Sequence, residues 1–82
     1  MGRPGPDQRI ENLVEAYYVS LYRYGYRLSG SAAEAEDLVQ ETFCQAQVKF
    51  QQLREPQRAR GWLFSILRNL YLHNVRDSKA AQ

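Results

Sequence analysis

Apolar residues recur at three- and four-residue steps in three stretches of the chain, and no stretch alternates apolar with polar residues as a half-buried strand would. In the first stretch, Ile10, Leu13, Val14, Tyr17, Leu21, Tyr24 and Leu28 would share one face of a helix from about Asp7 to Leu28. Pro6 and Asp7 suit its start and Gly30 its stop. Ser31 and Glu34 then form an S-x-x-E capping box. In such a box the hydroxyl accepts from the third backbone N–H, and the carboxylate reaches back to the cap's own N–H. A second helix is predicted from Ala32 to about Phe50, with Ala35, Leu38, Val39, Phe43, Ala46 and Phe50 on its apolar side.

Gln51–Gly61, interrupted by Pro56, reads as a loop. A third helix, starting at Arg60 or Trp62 and reaching Asp77, would bury Leu63, Ile66, Leu67 and Leu70, with the terminal DSKAAQ as a frayed tail. The short turn Ser29–Gly30–Ser31 makes the first two helices antiparallel neighbours. The expected fold is all-α, a compact three-helix bundle whose first helix is open to a break near Val19–Ser20.

A turn of 3.6 residues places successive side chains about 100° apart and shows what each helix leaves uncovered. With Leu38 at zero, the apolar set of the second helix spans roughly 0° to 140°, while Asp37, Glu41, Cys44 and Val48 fall between roughly 240° and 300°, with Gln40 near 200°. Glu34 is accounted for as a cap. Glu41, nearly three turns in, gains little from the helix dipole, which acts on the first turn. On the third helix, with Trp62 at zero, Ser65, Asn69, Leu72 and Arg76 cluster between roughly 280° and 340°, flanked by Arg68 near 240° and His73 near 20°. The aromatic run YYVSLYRYGY, Tyr17 to Tyr26, reads as core-edge residues whose rings pack while their hydroxyls reach water, in preference to a base-stacking surface.

Composition narrows the chemistry. The chain of 82 residues is one small domain, and its hydrophobic fraction of 44% is that of a folded protein. A single cysteine, Cys44, excludes an internal disulfide and reads as a small residue on a helix surface or seam. The single histidine, His73, stands too far from it for a local metal-ligand pair, and no acid pair is arranged for catalysis. Neither an enzyme nor a cofactor is expected. No apolar run approaches the roughly 20 residues that span a bilayer, and MGRPGPDQR lacks the apolar core of a signal peptide, so a cytoplasmic protein without membrane insertion is expected.

The net charge of +2 hides an asymmetry. Residues 1–48 hold four basic and seven acidic residues, net −3, and residues 49–82 hold seven basic and two acidic, net +5. Two unlike partners follow, one tolerant of acid and one polyanionic. From these patterns alone, a helical protein-interaction module and a general nucleic-acid-binding bundle both remain open.

LYRYGYRLSGSAAEAEDLVQETF followed by WLFSILRNLYLHNVR resembles the second conserved region of bacterial sigma-70-type transcription initiation factors, of the extracytoplasmic-function (ECF) group. The resemblance covers roughly Ile10 to Arg76. It implies a flexible N-terminus over 1–9, the region 2 domain over 10–77 and a tail over 78–82 that begins a linker to a second, helix-turn-helix domain. It further implies docking on the β′ clamp helices of core RNA polymerase through Asp37, Gln40 and Glu41. Recognition and melting of the promoter −10 element would fall to a loop containing Leu53, Arg54, Arg58 and Arg60, and to Trp62, Ser65, Arg68, Asn69, Leu72, His73 and Arg76. An anti-sigma factor is a further implied partner. Three departures stand out: Leu53 occupies a position where some relatives carry an aromatic, which weakens base stacking there, His73 one where many members carry Asp, and Asp77–Ser78–Lys79 replaces a run of arginines. Fewer phosphate contacts imply weak, salt-dependent DNA binding.

Overall fold

The computed structural model describes residues 6–81, with side chains from 10 to 77 apart from that of Pro56. Three helices, α1 (Pro6–Ser29), α2 (Ala32–Val48) and α3 (Ala59–Ala81), pack as an all-α bundle, with no strand among the described residues. Of the expected flexible N-terminus, residues 1–5 lie outside the description and residues 6–9 begin α1. At the other end Gln82 lies outside it, as do the side chains of 78–81, whose backbone continues α3 past the expected end at Asp77.

α1 is one continuous helix, so the break entertained near Val19–Ser20 is absent. Neither residue removes a backbone donor as proline would, and Val and Ser lower helix propensity by only tenths of a kcal/mol each, less than about 0.7. The helix stops where Gly30 takes φ +71° and its N–H donates to Tyr26 O at 2.7 Å. That is the single-bond left-handed C-terminal cap, which glycine adopts without a Cβ clash.

The start of α2 is capped differently from the expectation. Ser31 Oγ accepts from Glu34 N–H at 3.2 Å, as a capping box requires. The return bond is not made by Glu34: Ser31 N–H donates to Ser29 Oγ at 3.2 Å, and that hydroxyl donates to Gly25 O at 2.8 Å. Ser29 thus does locally what the Glu34 carboxylate would otherwise reach back to do.

α1 and α2 come close together at Gly25 and Ala35. A Cβ on Gly25 would stand 3.3 Å from Ala35 Cα, inside ordinary contact distance. Around this contact Leu21, Leu38, Val39, Phe43 and Ala46 close the core with Leu63, Ile66, Leu67 and Leu70 from α3. Thr42, wholly buried, falls in the apolar sector of α2. Its hydroxyl donates to Leu38 O at 2.6 Å, which satisfies a polar group that periodicity alone had left out of the core. Phe50, expected on α2, lies beyond the helix end, which is marked by Lys49 N–H donating to Gln45 O at 2.9 Å. The connection to α3 contains two short 3₁₀ turns, Phe50–Gln52 and Pro56–Arg58, where an irregular loop was expected.

The close approach at Gly25 makes a direct prediction. Gly25→Leu should lower stability in urea or thermal unfolding by about 1–3 kcal/mol, the usual cost of overpacking. The same substitution at Gly61, where an added Cβ meets nothing within 4 Å, should leave stability unchanged or raise it by up to about 1 kcal/mol.

Candidate functional site

The outward face of α2 comprises Asp37, Gln40, Glu41, Cys44 and Val48, all exposed, Val48 to 84%. A groove flanks this ridge on each side. Toward α3, a concavity of about 350 Å³ is lined by Glu34, Asp37 and Glu41 together with Leu38, Tyr71, Asn74 and Val75. Toward α1, Gln40 and Cys44 border a second groove with Ile10, Val14, Tyr18, Phe43 and Gln47. Because Ser29 takes over the return cap, Glu34 adds a third carboxylate that sequence reasoning had assigned elsewhere. Tyr71, Asn74 and Val75 were also missed, since their place against α2 depends on how α3 crosses it.

None of these three carboxylates forms an ion pair among the described residues, whose close basic–acidic contacts are Arg58–Glu55 and His73–Asp77. Asp37 and Glu41, at i and i+4, repel each other by a few tenths of a kcal/mol without a compensating cation. Only Glu34 lies in the first turn of α2, where a carboxylate is favoured by the helix dipole. The carboxylates of the ridge therefore gain no stabilising charge partner within the described residues. The ridge's two carboxylates and one amide can accept and donate hydrogen bonds to a cationic helix laid along it, and guanidinium groups suit that geometry best.

The residues expected to face nucleic acid divide into two groups. Leu53, Arg54, Arg58, Trp62 and Ser65 surround one open cleft of about 760 Å³, whose lining also includes Gln52, Glu55, Gln57 and Gly61. Leu53 and Trp62 are half-buried, so each offers a partial apolar wall. Arg58 Nε sits 2.8 Å from Glu55 Oε2. Both side chains are more than half exposed, and such a pair is weak enough to yield to a phosphate. Arg68, Asn69, Leu72, His73 and Arg76 continue along α3 away from the cleft, all exposed. From Ser65 to Arg76 the helix rises about 16 Å. His73 Nε2 lies 3.3 Å from Asp77 Oδ2. Arg68, Asn69 and Arg76 make no polar side-chain contact among the described residues.

Arg60 stands apart. Its guanidinium carbon is 5.2 Å from the Phe64 ring centroid, and Phe64 stacks on Tyr24 of α1 at 5.0 Å and 25°. These rings and the cation connect α3 to α1 on a side of α3 other than the one lined by Trp62 and Ser65. The tyrosines also divide. Tyr17, Tyr22 and Tyr24 pack against the core as expected, whereas Tyr18 and Tyr26 are exposed. Among the described residues, no three of His, Cys, Asp and Glu stand together as metal ligands, and no helix is long and apolar enough to cross a membrane.

Residues 13–81 match the family model for sigma-70 region 2. The ECF RNA polymerase sigma factor SigL of Mycobacterium tuberculosis is 38% identical over 68 residues, which is 82% of this chain and 38% of that relative. SigE of Mycolicibacterium smegmatis, also an ECF RNA polymerase sigma factor, is 42% identical over 66 residues, 80% of this chain and 25% of the relative. SigW of Bacillus subtilis, of the same description, is 30% identical over 77 residues, 94% of this chain and 41% of the relative. The chain thus spans less than half the length of these relatives.

Exposed residues without partners can be changed at little cost to the fold. Glu41→Arg, Arg68→Gln and Asn69→Ala should each leave unfolding free energy within about 0.5 kcal/mol of wild type in chemical denaturation. A larger loss would show that the residue has a structural duty after all.

Proposed function

The chain belongs to the sigma-70 region 2 family, and on that premise we propose that it is a transcription initiation domain that docks on core RNA polymerase and recognises the promoter −10 element. The observation that carries this reading is the α2 ridge. Asp37, Gln40 and Glu41 lie exposed at i, i+3 and i+4 with no side-chain partner among the described residues. The resemblance to sigma-70 region 2 implies that these positions meet the clamp helices of the β′ subunit, and carboxylates in this register fit arginines spaced along one partner helix.

The second surface supplies DNA recognition. The Leu53–Trp62 cleft would hold a base taken out of the stack, by shape, partial stacking and hydrogen bonds to its edge. Ser65, Asn69 and His73 would meet neighbouring bases, Leu72 would make an apolar contact, and Arg54, Arg58, Arg68 and Arg76 would meet phosphates. Arg60, held on Phe64, would contribute charge from the α1 side. A protein that covers the α2 ridge would compete with polymerase, which is how an anti-sigma factor would silence the domain. Work on polymerase and promoter DNA would take place in the cytoplasm.

Capture of core polymerase by the tagged chain tests the first surface. Wild type should retain polymerase, and Glu41→Arg should lose it while keeping a wild-type circular dichroism spectrum; retention by the variant would overturn the docking assignment. Titration of single-stranded −10 DNA and base-substituted controls tests the second. Asn69→Ala should reduce discrimination between them by about 1–3 kcal/mol, the worth of a good base-edge contact. An unchanged preference would remove Asn69 from base recognition.

A further inference from the structure

The aromatic run of α1 is only partly used by the core. Tyr26, 49% exposed, stacks with half-buried Tyr22 at 6.5 Å and 27°, and the two rings line one open concavity with Arg23 and Arg27. Neither arginine forms an ion pair among the described residues, and no acidic side chain lines the concavity. The patch therefore combines two guanidinium groups, unpaired among the described residues, with an exposed ring stacked on a half-buried one. A protein partner of acidic character would satisfy the charges and leave the rings idle. A strand of unpaired nucleotides satisfies both, since phosphates meet guanidinium groups and base faces meet tyrosine rings.

From α1 the patch reaches α3 on a side other than the one that Trp62 and Ser65 give to the cleft. Tyr24 carries Phe64, which carries Arg60. Passing round α1 from Tyr24, the helical turn places Arg27 about 60° away, Arg23 about 100°, Tyr26 about 160° and Tyr22 about 200°, all in the same rotational sense. For a helix about 10–12 Å across, that path is an arc of roughly 20 Å, the reach of a few nucleotides.

We propose that Arg23, Arg27, Tyr22 and Tyr26 form a second single-strand contact, across which a melted DNA strand continues after leaving the cleft beside α3. The proposal rests on the reading of that cleft as a DNA site. It predicts that binding strengthens with strand length and that only the longer strand feels α1.

Fluorescence anisotropy with labelled oligothymidines of about 6 and about 12 nucleotides, within the usual range of single-strand site sizes, separates the two surfaces. The full chain is compared with two double variants, Arg54→Gln/Arg58→Gln in the loop and Arg23→Gln/Tyr26→Leu on α1, each checked by circular dichroism. The loop variant should weaken both strands. The α1 variant should weaken the longer strand at least about fivefold, as loss of one stacked base does, and leave the shorter one unchanged. Removing both guanidinium groups, in Arg23→Gln/Arg27→Gln, should flatten the salt dependence of log affinity for the longer strand by about 1.4. If the loop variant weakens binding and the α1 variants do not, the α1 contact is overturned and the cleft reading stands. If neither weakens binding, both fail. If the α1 variants lose polymerase capture while oligothymidine binding is intact, the patch is a protein surface and the proposal is overturned.

Discussion

The close contact between α1 and α2 at Gly25 and Ala35 decides how the rest of the domain is used. With no side chain on Gly25, the two helices approach until a Cβ there would meet Ala35 Cα at 3.3 Å, and interaxial distance depends on such contact residues. The left-handed cap at Gly30 turns the chain back in time to bring Ala35 opposite Gly25. Once that pair is set, α2 has committed Ala35, Leu38, Val39, Thr42, Phe43 and Ala46 to the interior. Asp37, Gln40, Glu41, Cys44 and Val48 can then only face outward.

The same contact explains why the cap of α2 is built from serines. Ser29 lies one turn after Gly25 and donates to its carbonyl, so the hydroxyl is already held where Ser31 N–H can donate to it. A glutamate return bond would be redundant. Glu34 is consequently released to the groove beside α3, and three carboxylates rather than two line that concavity. A local choice between two ways of satisfying one N–H thus sets the charge of a surface a full turn away.

Helix periodicity made most of the fold legible, because the positions that repeat at three and four are those that bury. Leu21, Leu38, Val39, Phe43, Leu63, Ile66, Leu67 and Leu70 all lie in the core as expected. Thr42 was invisible to that reading because hydrophobic patterning cannot see a hydroxyl that bonds to its own helix four residues back. The outward face of α2 was legible for the same reason as the core, being its complement on the wheel. What the wheel could not supply was anything that depends on two helices at once. The grooves beside that ridge, the Arg60–Phe64–Tyr24 stack and the gathering of Leu53, Arg54, Arg58, Trp62 and Ser65 about one cleft all require the crossing of α3 and the path of the connection before it.

The charges that face DNA on the proposed reading are modest. Arg58 shares its charge with Glu55, and the acid of Asp77 sits beside His73. With log affinity falling by about 0.7 per single-strand phosphate contact for each decade of salt, a handful of arginines gives a binding term that physiological salt largely removes. A domain so equipped would gain its promoter through its other surface. Docking through Asp37, Gln40 and Glu41 would hold the cleft and α3 beside DNA already bound by polymerase, making the second encounter intramolecular and raising its effective concentration without any new contact. The uneven division of charge between the two halves of the chain then has a physical sense. On the proposed reading the acid would secure a protein partner by a few well-placed hydrogen bonds, and the base, too sparse to hold DNA alone, would select among sequences that the larger assembly has brought within reach.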